Sequence, residues 1–160
     1  MNSLFCKTPF CNLKITQNNN RLSGVDFVRK LPRVEAVEDL FLQEAIYQIR
    51  QYILDPGFIF DLPREPLGTE FQQKVWSALR RIPVGEVRTY GEIARELGSS
   101  PRAVGNACRK NPLPFITPCH RVVSAQGIGG FSGQTQGYEI SIKQRLLTHE
   151  GVEFPFTGPI

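Results

Sequence analysis

The chain lacks the residue patterns that would place it in several common classes. Its 160 residues include only two histidines, His120 and His149, and four cysteines, Cys6, Cys11, Cys108 and Cys119. No Cys-x-x-Cys occurs and the histidines do not stand at zinc-ligand spacing, so neither a zinc module nor a thioredoxin-like redox centre is expected. No metal or cofactor is expected at all. No apolar run approaches the ~20 residues of a membrane span. The opening Met-Asn-Ser-Leu-Phe-Cys-Lys lacks the basic-then-apolar pattern of a secretory leader. The expectation is a cytoplasmic protein, nucleoid-associated if prokaryotic, with no membrane partner. In a reducing compartment Cys6 and Cys11 read as unpaired thiols near a strand.

The formal net charge is +4, and it is localised. Between Gly68 and Val123 there are nine Lys and Arg against four Glu, whereas the remainder holds 10 basic and 11 acidic residues. The whole excess therefore sits in one region, which is the electrostatic footprint of a polyanion partner.

Hydrophobic periodicity divides the chain in two. Leu13–Ile15 and Leu22–Val28 flank the polar cluster Gln-Asn-Asn-Asn-Arg, predicting a β-hairpin. Val37, Leu40, Phe41, Ala45, Ile49 and Ile53 recur at helical spacing, predicting a helix over 37–54 stopped by Asp55-Pro56-Gly57. Phe58–Phe60 is a strand candidate, and Asp61–Gly68 reads as a linker. The expected fold class is α+β: a sheet-plus-helix support domain over 1–63 and a mainly helical domain over 68–160. In the latter, Thr69-x-x-Gln72 and Thr89-x-x-Glu92 are capping boxes that open helices over 70–81 and 90–97. Trp76 reads as packing on the first of these. Gly98 then stops the second helix, and Ser100-Pro101 starts another that runs to about Lys110. A final helix is predicted over 138–150.

Helix, glycine turn, helix is a helix-turn-helix arrangement, and its second helix is basic. Arg102, Gly105, Asn106 and Arg109 share one face of that helix, opposite Ala103, Val104, Ala107 and Cys108. A small, polar and basic face of this kind suits close approach to a DNA groove.

One stretch carries chemistry: Asn111-Pro-Leu-Pro-Phe-Ile-Thr-Pro-Cys-His-Arg-Val-Val123. Prolines 112, 114 and 118 stiffen the approach to Cys119. A thiolate is the reactive form of cysteine, and a neighbouring histidine or cation lowers the thiol pKa. His120 is the candidate base. Adjacent residues on an extended strand point apart, so contact between them requires a bend or a bridging water. On residue types alone a cysteine hydrolase and a non-enzymatic DNA-binding protein remain open. The Gly- and Ser-rich run Ser124–Gly137 after the thiol reads as a pocket wall.

The same stretch resembles the active-site signature of the O6-alkylguanine-DNA alkyltransferases, also called methylated-DNA–protein-cysteine methyltransferases. The likeness extends from about Gly68 to Gly151. It implies direct-reversal repair by a monomer, in which the alkyl group of O6-alkylguanine in double-stranded DNA moves once and irreversibly to Cys119. It does not say whether O4-alkylthymine is also a substrate. It further implies that Glu150, in His149-Glu150-Gly151, orients His120. Arg102 would be the finger that fills the stack from the minor groove when the base flips out, with Ser100, Ala103, Gly105, Asn106 and Arg109 also on the DNA. Tyr90 would help protonate the departing guanine, and Asn111 would brace the turn before the cysteine. Pro118, Val122, Ser132 and Gly133 would line the substrate pocket. Arg80, on the preceding helix, is not expected to reach the gap in the stack.

Overall fold

The computed structural model describes residues 2–33, 38–130 and 137–153. The chain divides into two compact units, 1–67 and 68–160.

The first unit is built on an antiparallel sheet in the order β1 (Asn2–Lys7), β2 (Asn12–Asn18), β3 (Arg21–Val28). The expected hairpin is β2–β3. Its turn residues Asn19 and Asn20 have φ of 52° and 56°, left-handed values that asparagine tolerates better than most residues and that match the twist of a two-residue turn. β1 lies outside the sequence expectation, because it carries only a weak alternation. Leu13, Ile15, Leu22 and Val25 point into the core beneath the sheet.

Helix α1 (Leu40–Leu54) covers this sheet. It starts three residues later than its periodicity predicts, because the Asp39 carboxylate caps it by accepting from the Leu42 N–H. Val37 lies outside the described residues. The inward face also differs from expectation: Leu42, Ala45, Ile46, Ile49 and Tyr52 are buried, while Leu40 is 84% exposed. Phe58–Phe60 is not a strand. The free edge of β3 is instead taken at Leu22, whose N–H donates to Pro63 O and whose carbonyl accepts from Glu65 N–H. Phe58 and Phe60 pack edge to face, and Phe60 lies against Tyr52.

In the second unit α2 (Glu70–Arg80) and α3 (Tyr90–Leu97) each begin with a complete capping box. α4 (Pro101–Arg109) begins at Ser100, whose hydroxyl accepts from the Ala103 N–H. α3, the turn at Gly98 and α4 form the helix-turn-helix, and α4 also packs on α2. Trp76 supports that packing directly, since its buried indole N–H donates to Ala107 O at 2.8 Å. An unforeseen two-residue parallel pair, β4 (Arg88–Thr89) with β5 (Val122–Val123), ties the start of α3 to the chain just after Cys119. Strands this short carry no period to read. α5 (Tyr138–His149) closes the unit.

Two glycines separate steric from conformational demands. Gly98 has φ of 66°, and a Cβ added there would meet nothing within 4 Å, whereas at Gly68, φ 88°, a Cβ would stand 2.5 Å from the Trp76 ring. Gly98→Ala should therefore cost only the left-handed penalty of about 1 kcal/mol. Gly68→Ala should cost more, roughly 2–4 kcal/mol, because a ring must also move. Chemical denaturation of both variants checks the order; equal losses would refute it.

Candidate active site

The segment leading to Cys119 is held by its own backbone and by Asn111. The Asn111 side-chain N–H donates to Thr117 O at 2.9 Å, and its oxygen accepts from the Leu113 N–H at 3.0 Å. Between them Phe115 has φ of 80° and is 2% exposed, a left-handed conformation that a bulky residue adopts only when its surroundings enforce it. Thr117 is gripped from α2, where Arg80 Nη1 donates to its hydroxyl at 3.1 Å. Arg80 is exposed, yet it braces the segment before the cysteine.

At Cys119 the chain is not extended. Cys119–Arg121 form one turn of 3₁₀ helix, closed by the Arg121 N–H donating to Pro118 O, before entering β5. Cys119 and His120 therefore lie on a bend rather than on an extended strand. Cys119 and His120 are both buried, as are Pro118 and Val122.

Glu150, at the end of α5, meets this turn. His120 Nε2 lies 2.7 Å from Glu150 Oε2, Arg121 Nε donates to Oε1 at 2.8 Å, and Arg121 Nη2 donates to Oε2 at 3.1 Å. Arg121 also donates through Nη1 to Ile82 O at 2.6 Å, just beyond α2. A carboxylate only accepts, so the neutral imidazole must carry its proton on Nε2. His120 Nδ1 is left bare, and it is buried without a hydrogen-bond partner among the described residues.

The electrostatics follow from burial. Burial pushes the Glu150 carboxyl up, but the hydrogen bonds and charges of His120 and Arg121 outweigh it and bring the pKa down to about 2. Burial holds His120 below the usual imidazole range despite Glu150. It also raises the Cys119 thiol, against the smaller lowering effects of the Asn111 side chain and the Lys143 charge. The expected lowering of this thiol is thus reversed, because desolvation of the thiolate outweighs its neighbours. The resting site holds a neutral thiol, a neutral imidazole and an ionised carboxylate.

Beside the thiol, Lys143 on α5 is fully buried, and its ammonium donates to Val122 O at 2.6 Å and Gly130 O at 2.9 Å. Burial brings its pKa down to about 8. Tyr90, the first residue of α3, donates its O–H to the same Gly130 carbonyl at 3.4 Å, and burial raises its pKa. Cys108, half-buried on the inner side of α4, is pushed up to about 12, again chiefly by burial. Arg102, Asn106 and Arg109 are exposed on the other side of α4, with Ser100 exposed at its cap and Gly105 and Ala103 half-buried. Ser132 and Gly133 lie outside the described residues. No described helix is long and apolar enough to cross a membrane.

Residues 70–152 match the family model for the 6-O-methylguanine DNA methyltransferase DNA-binding domain. The methylated-DNA–protein-cysteine methyltransferase of Methanosarcina acetivorans is 38% identical over 152 residues, covering 91% of this chain and 95% of its own. The constitutive Bacillus subtilis methyltransferase of the same name is 36% identical over 159 residues, covering 92% and 94%. The chain belongs to this family. Its fold agrees with solved members. A Mycobacterium tuberculosis OGT crystallised in complex with DNA superposes with a TM-score of 0.73 at 33% identity, covering 93% of this chain and 92% of that one. The Methanococcus jannaschii O6-methylguanine DNA methyltransferase gives 0.68 at 29% identity, covering 97% and 99%.

Residue types brought Cys119 and His120 into consideration, and the resemblance added Glu150, Asn111 and Tyr90. The fold joins Glu150 to His120, sets Asn111 on the segment before Cys119 and bonds Tyr90 to Gly130 O. Sequence reasoning missed Arg121 and Lys143. Lys143 did leave a signal: it falls among Ile140, Ile142, Leu146 and Leu147 on the buried side of α5, where a solvated lysine would not stand. Arg121 left none beyond its place next to His120.

Because the Glu150 pKa lies below the ordinary value of 4.5, its contribution to stability is complete above that pH and is lost as pH falls toward about 2. The loss should be on the order of 3 kcal/mol. Glu150→Gln should be less stable at neutral pH but flatter through this acid window. Thermal melts of both proteins across the window test it, and parallel curves would contradict it.

Proposed function

We propose that this family member repairs DNA by a single alkyl transfer from O6-alkylguanine to Cys119 Sγ. The observation that carries the proposal is the buried set Cys119, His120 and Glu150, in which a bare His120 Nδ1 shares one turn with the thiol. In the reaction the thiol proton passes to Nδ1, directly or through one water, and the Sγ–C bond forms as the C–O6 bond breaks. The bonding electrons leave with the guanine, which takes up a proton. Tyr90 is assigned the donation: burial keeps its phenol protonated at rest, and the phenol recovers its proton afterwards from the imidazolium or solvent. Glu150 stabilises the imidazolium formed on the way. The product is a thioether with no exchangeable leaving group, so each molecule reacts once. No step needs a metal or a cofactor.

The target base is stacked inside a duplex, so it must first be flipped out. Arg102, exposed in the first turn of α4, is assigned the vacated place in the stack, approached from the minor groove by a monomer. Ser100, Ala103, Gly105, Asn106 and Arg109 contact the DNA around it. Pro118 and Val122 line the pocket with Ser132 and Gly133, and Asn111 holds the approach to the thiol.

Incubation with duplex DNA carrying radiolabelled O6-methylguanine should move one label per protein molecule, and Cys119→Ala should take none while still binding DNA. Label transfer to the alanine variant would sink the nucleophile assignment. Arg102→Ala should slow duplex repair by roughly tenfold or more, because unstacking costs a few kcal/mol, yet leave reaction with free O6-benzylguanine near wild type. The charge control is Arg95→Ala on α3, where the side chain is exposed; Arg80 is unsuitable because it holds Thr117. Equal losses on duplex and free base would remove Arg102 from the flipping step.

A further inference from the structure

We propose that Arg121 is the positioning residue of the proton relay: its two bonds to Glu150 hold that carboxylate so that His120 keeps its proton on Nε2 and offers a bare Nδ1 toward the thiol. The inference deepens the alkyl-transfer reading and assigns a task to a residue which that reading leaves without one.

Glu150 ends α5 and has no turn of its own helix beyond it, so the helix alone does not fix the direction of its carboxylate. Arg121 does so with a planar fork, Nε to Oε1 at 2.8 Å and Nη2 to Oε2 at 3.1 Å. A bidentate fork sets orientation as well as distance. The fork is itself anchored, because Nη1 donates to Ile82 O at 2.6 Å. Arg121 is thus fixed at both ends of its guanidinium, and Oε2 is left facing His120 Nε2 at 2.7 Å. The Glu150 side chain is fully enclosed and that of Arg121 is 13% exposed, so water does not substitute readily for either partner.

Two consequences follow for the imidazole. The carboxylate stays ionised, so it accepts from Nε2 and never donates to it, which excludes the Nδ1–H tautomer. The relay therefore stops at histidine: the proton taken from Cys119 resides on the ring and does not pass on to Glu150. Arg121 also opposes the charge that the ring acquires. The groups that face His120 are Glu150, which favours the imidazolium, and Arg121 and Lys143, which disfavour it. The carboxylate that favours the charged ring and the guanidinium that opposes it are joined in the same fork.

The chain has only the histidines 120 and 149, so the test is direct. Nitrogen-15 NMR of histidine-labelled wild-type protein should show His120 as the Nε2–H tautomer from mildly acid to mildly alkaline pH. An Nδ1–H signal from His120 would overturn the proposal before any variant is made. Arg121→Lys keeps a cation but loses the fork. In it the two ring nitrogens should move toward a mixture of tautomers, and the pH profile of Cys119 alkylation by iodoacetamide, followed by mass spectrometry of its peptide, should shift. The rate with free O6-benzylguanine should fall by roughly tenfold or more, as expected when a positioned base is released. A lysine variant that melts at lower temperature but retains the wild-type tautomer and pH profile would mean that Arg121 only supports the fold, and the proposal fails. The tautomer and iodoacetamide readouts need no DNA. If they hold while no label passes from methylated duplex, the function proposed above is at fault and the relay assignment stands.

Discussion

The second unit depends on one buried carboxylate. Glu150 accepts from His120 and twice from Arg121, and through Arg121 it is tied to the residue that follows α2. Three parts of the chain far apart in sequence meet there: the end of α5, the 3₁₀ turn at Cys119 and the end of α2. A buried charge that loses its partners typically costs about 3–5 kcal/mol. The cluster is therefore stable only when all of its parts are present, and assembling the site is the same event as closing the unit.

Burial also explains why the thiol is neutral at rest. A neutral thiol beside a neutral imidazole is a weaker nucleophile than a thiolate. Lys143 fits this picture: its charge faces Cys119 but is held on the carbonyls of Val122 and Gly130, so it favours the thiolate without capturing it. Lys143 and Tyr90 meet on Gly130 O, which places the donor assigned to the guanine next to the strand that leaves the active turn.

The helical elements were legible wherever a local rule was sufficient. Thr69, Thr89 and Ser100 cap their helices as their spacing predicts, and Gly98 takes the left-handed turn that only glycine enters without strain. The β2–β3 hairpin was legible for the same reason. Features that depend on a distant partner were not. β1 exists because β2 offers it an edge, Phe58–Phe60 is no strand because Pro63–Glu65 occupy the edge of β3, and the inward face of α1 is chosen by the sheet beneath it. β4 and β5 are too short to have any pattern until they pair.

The site divides along the same line. The amino-acid sequence alone put forward Cys119 as candidate nucleophile with His120 as candidate base, the stiff proline-bound approach and the basic face of α4, because these are properties of residue type and of spacings within one turn. Resemblance added Glu150, thirty positions from His120. Only the tertiary structure decided that Arg121 clamps that carboxylate, that Lys143 is buried beside the thiol, and that the thiol pKa is raised rather than lowered. Each of these turns on what surrounds a group in space. A charge in water and the same charge in a closed interior differ by the whole cost of desolvation, and a linear sequence does not state which of the two a residue will meet.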